Sequence, residues 1–135
     1  MYISKSMATE FDIVFEKLKE MLQKYSSSFT VKPDTDNKYG LYAQVGPATL
    51  KIRGKMDSPI MPIAWVEIGK AYVSYHLMGI YMNPKLQAEI PKDLKTRMQG
   101  KTCFNFKRVD EKVFNELDEL TAKSIEALKK GGFIL

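Results

Sequence analysis

Three residue types of a thiol catalyst occur in this chain: one His (His76), one Cys (Cys103) and a nearby amide (Asn105). A thiolate attacks, an imidazole takes its proton and an amide orients the ring. All three fall in runs that read as ordinary strands. No helix N-terminus or strained turn is in sight to lower the thiol pKa, so no catalytic residue is assigned. A second set is better suited to binding. Alternation along the strands gathers Tyr42, Lys51, Arg53, Trp65, Tyr72, Ser74, His76, Asn105 and Lys107 on one polar sheet face. Arginine offers a fork of donors, lysine a point charge, and the rings offer stacking walls, which together suit a carboxylate or phosphate. The expected ligand is therefore a small anion. The competing reading is a solvated face whose Lys and Arg keep the sheet soluble.

Charge is unevenly placed. Between positions 84 and 108, seven basic residues (Lys85, Lys92, Lys95, Arg97, Lys101, Lys107, Arg108) face two acids, Glu89 and Asp93, while the rest of the chain balances. This segment accounts for the whole net charge of +5. Nucleic acid is a further option through it, with Tyr81 or Trp65 stacking on bases, but no helix-turn-helix or single-strand-binding motif accompanies the charge.

Metal and cofactor signatures are missing from the sequence. One His and one Cys, far apart along the chain, do not supply a four-ligand zinc site. The acidic groups at Asp34/Asp36 and at Glu116, Asp118 and Glu119 fit a turn and a solvated helix face. Gly131-Gly132 follows a helix instead of opening one, so phosphate-loop and dinucleotide fingerprints are absent. The expectation is no metal and no cofactor. The apolar runs fall short of the ~18 residues of a membrane span. With no apolar leader and a single Cys, a cytoplasmic protein without membrane contact is expected.

The elements that must position these residues follow from periodicity. Phe11, Val14, Phe15, Leu18, Met21, Leu22 and Tyr25 recur at helical spacing and predict a helix over 10–25, capped by Thr9 with Asp12 three residues on. Strands are predicted over 29–32, 39–45, 48–53, 63–68 and 71–78, with a last one over 101–107. Their short connections require antiparallel pairing. Asn83-Pro84 opens one short helix, and Pro91 opens another running through Met98 to Gly100. Asp110 caps a final helix with Val113, Phe114, Leu117, Leu120, Thr121, Ile125 and Leu128 buried. The fold class is thus α+β over a single 1–135 domain: an antiparallel sheet of about six strands with N- and C-terminal helices packed on one face, the other face left open. The exposed 29–32 strand offers a route to a homodimer.

The phrases SYHLM, MNPKL and QGKTCFNF, with a last helix beginning VDEKVFNEL, resemble the bacterial YdhG-like family of unknown function. That family is grouped with YjbR and frataxin (CyaY) proteins in one superfamily. The resemblance covers about residues 60 to 135, and the N-terminal half only in element order. It implies a frataxin/YjbR-like fold. It also implies, as an alternative function, iron binding or iron chaperoning through an acidic first helix. Here that helix carries Glu10, Asp12, Glu16 and Glu20 interleaved with Lys17, Lys19 and Lys24. YjbR-type relatives imply DNA binding as a second alternative, through the basic 84–108 segment.

Overall fold

A computed structural model of the protein describes residues 9–54, 59–81 and 83–135. Helix α1 (Glu10–Gln23) starts at a full capping box: Thr9 accepts from the Asp12 amide, and the Asp12 carboxylate accepts from the Thr9 amide. Such a cap stabilises by about 1 kcal/mol. Val14, Phe15, Leu18 and Leu22 form its buried stripe. At the other end of the chain, α5 (Glu111–Lys130) is capped by Asp110, whose carboxylate accepts from the Val113 amide.

Between them lies one six-stranded antiparallel sheet. Its strands are β1 (Thr30–Asp34), β2 (Lys38–Gln44), β3 (Ile60–Ile68), β4 (Val73–Leu77), β5 (Met98–Gln99) and β6 (Cys103–Phe106). Their order across the sheet is β1-β2-β3-β4-β6-β5. The 29–32 run expected at an exposed edge is indeed the start of edge strand β1, and β3 is central as its apolar composition requires. Alternation then divides the sheet. Tyr39, Leu41, Ala43, Ala64, Val66, Val73, Tyr75, Leu77, Phe104 and Phe106 point to the helices and are buried in one cluster with the stripes of α1 and α5. Two contacts fix α5 on that face: Phe106 meets Phe114 edge to face, and the Tyr75 hydroxyl meets Thr121 at 2.6 Å.

Two expected elements are different. Residues 48–53, predicted as a strand, form helix α2 (Pro47–Arg53). Gly46 is extended, Pro47 occupies the first helical turn, and the buried Thr49 donates its hydroxyl to the Phe133 carbonyl at 2.7 Å. The Gly46 and Ala48 amides also donate to the Phe133 and Gly132 carbonyls. The element is therefore set by docking on the distant C-terminal tail, and its apolar Leu50 and Ile52 stay exposed. The predicted helix ending at Met98 is also shorter. Helix α3 (Pro84–Ala88) starts at its Asn83 cap as expected, but α4 spans only Lys92–Lys95 and Met98 belongs to β5. Gly100, at φ +76°, turns β5 into β6. The sheet keeps six strands because β5 replaces the lost one. The loop predicted over 54–59 has residues 55–58 outside the described range.

Candidate functional site

The sheet face turned away from α1 and α5 carries two rows of side chains. Cross-strand register places Gly40, Trp65, His76, Cys103 and Gln99 in one row across five strands. Lys38, Glu67, Ser74 and Asn105 form the next. Of the residues the sequence assigns to this face, Tyr42, Trp65, Ser74, His76 and Asn105 belong to it. Tyr72, just before β4, joins by donating its hydroxyl to the Gln99 side chain at 3.2 Å. Lys107 is an exposed residue just beyond β6. Lys51 and Arg53 do not belong here. They lie in the last turn of α2, outside the sheet, because that segment is helical.

Two cations missed in the sequence take their place. Lys32 Nζ stands 5.9 Å from the centre of the Tyr42 ring. With Pro33, Lys38, Tyr42, Pro62, Ala64 and Trp65 it lines a pocket of about 130 Å³. Beside this pocket, Gly40 lies directly opposite Trp65 and lets the β1 backbone come close. A Cβ there would stand 2.7 Å from the Lys32 carbonyl oxygen and 3.3 Å from Trp65 Cβ. A glycine inside a strand marks such a close approach of backbones. That was the available signal, and Lys38 escaped notice because the strand begins one residue earlier than its alternation suggests.

Trp65 is held from the other side. Its indole stacks on the His76 imidazole with ring centres 4.5 Å apart and planes within 10°, a contact worth about 1 kcal/mol beyond burial. Burial lowers the His76 pKa below its ordinary 6.5; Glu67 opposes the shift and Lys38 adds to it. His76 is consequently neutral at pH 7.

Next to it, residues separated by 27 positions in the chain come together. Cys103 Sγ lies 3.9 Å from His76 Nε2 and donates to Asn105 Oδ1 at 3.4 Å. The Asn105 amide nitrogen donates to Gln99 at 2.6 Å, and His76 Nε2 lies 3.3 Å from the Ser74 hydroxyl. The lone His and Cys, separated along the chain, are made cross-strand partners by the register of β4 with β6. Their protonation states do not favour a nucleophile. Burial pushes the Cys103 thiol up while it lowers His76, so both groups are neutral near pH 7. A reactive cysteine needs the opposite, a thiolate beside a cation. Among the described residues, no three His, Cys, Asp or Glu side chains converge as a metal site would require.

What the face can do chemically is hold a flat, negatively charged group. The indole and phenol supply apolar walls, and Lys32 and Lys38 supply charge. Comparisons of the chain with family models, with curated proteins and with solved structures found no match. Among the described residues no helix is long and apolar enough to cross a membrane.

Proposed function

We propose that the protein is a binding domain whose open sheet face accepts a small anionic ligand carrying one flat ring. The observation that carries this reading is the pocket between Tyr42 and Trp65, with Lys32 and Lys38 on its walls. Its volume of about 130 Å³ is close to the ~150 Å³ of an apolar cavity that takes up benzene. One ring fits, and two fused rings would have to project into solvent. A carboxylate or phosphate on the ring finds Lys32 or Lys38, while Glu67, opposite Lys38 on β3, disfavours a second negative charge on that side.

Binding without catalysis is favoured over an enzyme because the potential thiol and base are both neutral and hydrogen-bonded within the sheet. The YdhG-like resemblance remains compatible with this reading. Iron handling of the frataxin kind has less support: Asp12 is engaged in the α1 cap, and Lys17 and Lys19 stand among the acids of that helix, paired with Glu111 and Asp34.

The single Trp makes the test direct. Ring-bearing carboxylates and phosphates are titrated against the protein while Trp65 fluorescence is followed. Saturable change that disappears in the Lys32→Gln/Lys38→Gln variant, and persists in Lys51→Gln/Arg53→Gln, supports the proposal. Equal loss in both variants, or no saturable change with any such ligand, refutes it.

A further inference from the structure

The charge excess of residues 84–108 lies at the β5 end of the sheet, away from the pocket beside β1 and β2. Its two acids are both directed at α5. Asp93 pairs with Lys112 at 2.6 Å and Glu89 with Lys123 at 3.7 Å. Arg97 is engaged by Asp110 at 3.4 Å. The acids that would neutralise the segment are thus spent on neighbouring lysines, and among the described residues Lys85, Lys95 and Lys101 take part in no ion pair.

Two of these cations flank a groove. Gln87, Ile90, Lys95, Met98, Gly100 and Lys101 line a depression of about 290 Å³, with Ile90 and Met98 providing apolar surface. At its margin Tyr81 is 57% exposed, with Lys101 Nζ 5.9 Å from its ring centre. Gln87 holds the Tyr81 segment in place by donating to the Ile80 and Tyr81 carbonyls at 2.9 and 3.3 Å.

We propose that this groove is a docking site for an acidic peptide segment of a partner protein that carries one apolar anchor residue. Charge complementarity selects the partner's sign, since among the described residues Lys95 and Lys101 hold no acid. The apolar floor selects the anchor: a leucine-sized side chain covers Ile90 and Met98 while flanking carboxylates meet the two lysines. A peptide fits better than single-stranded nucleic acid because only one exposed ring, Tyr81, stands near the groove, whereas strand binders stack successive bases on several. Electrostatic attraction of this kind speeds encounter and weakens with salt.

The test uses the full chain and a fluorescently labelled peptide of Asp and Glu with a single central Leu, followed by anisotropy. A second peptide has Ser in place of Leu, and a single-stranded oligonucleotide of equal charge is the third probe. The Leu peptide is expected to bind in a salt-dependent way. Replacing Leu by Ser is expected to weaken binding about tenfold, which one lost apolar anchor readily accounts for. The Lys95→Glu/Lys101→Glu variant is expected to weaken it at least about tenfold. Both lysines are exposed, and unchanged far-ultraviolet circular dichroism verifies that the variant folds. Binding that ignores the charge reversal, equal binding of the two peptides, or binding of the oligonucleotide in preference to the Leu peptide overturns the proposal.

Discussion

Replacing Thr121 by Val tests how α5 is held to the sheet. Tyr75 on β4 is fully buried, and its hydroxyl lies 2.6 Å from Thr121 Oγ1. The Thr121 hydroxyl itself donates to the Leu117 carbonyl at 2.8 Å. Its proton is therefore committed, and Tyr75 must be the donor in the 2.6 Å contact. Thr121→Val leaves a phenol donor buried without a partner, which costs about 1–3 kcal/mol. Tyr75→Phe removes the donor and leaves Thr121 bonded to Leu117, so only a net hydrogen bond of about 0.5–1.5 kcal/mol is lost. In the double variant no polar group is stranded. Its cost should fall short of the sum of the singles by about 1 kcal/mol or more. Urea unfolding of the four proteins, with equal m-values, measures this coupling. Additivity to within about 0.4 kcal/mol would refute the reasoning, because independent sites add and contacting ones do not.

Two other sites, His76 and Gly79, give further outcomes. Because burial lowers the His76 pKa, the unfolded chain takes up this proton first as pH falls through 6.5; His76 contributes stability that is complete above that value and lost between it and the lower native pKa. In the folded protein the same protonation is expected to quench the stacked Trp65, with a midpoint below 6.5 that moves further down in Glu67→Gln and up in Lys38→Gln; a midpoint at or above 6.5 would contradict the burial argument. Gly79→Ala should destabilise by about 1–3 kcal/mol, since an added Cβ would collide with Ser124 on the buried face of α5, and urea unfolding checks it.

Local chemistry was legible where a residue acts on its own neighbours. Thr9 with Asp12, Asn83 with Pro84, and Asp110 each mark a helix start within three residues of the groups they cap. The split of β4 into buried Val73, Tyr75 and Leu77 and half-buried Ser74 and His76 follows from alternation alone. Failure came where a distant segment decides. Ala48, Leu50 and Ile52 satisfy a strand pattern, yet what shapes this run is Thr49 reaching Phe133 across 84 positions. Met98 continues the helical spacing of Leu94, but pairing with Phe104 draws it into β5. The same holds for the site. The face was readable and half its residues with it. The cations were misplaced because Lys51 and Arg53 depend on α2, and the Cys103–His76 contact was missed because it depends on the register of β4 with β6.

The pocket beside Trp65 is where binding can be measured most directly. Ring-bearing anions should change Trp65 fluorescence saturably at one site per chain. That response should vanish when Lys32 and Lys38 are both replaced by Gln, and it should survive replacement of Lys51 and Arg53. Saturation that is indifferent to Lys32 and Lys38, or the absence of any saturable response, would contradict the claim that the open face is a binding surface for a flat anion.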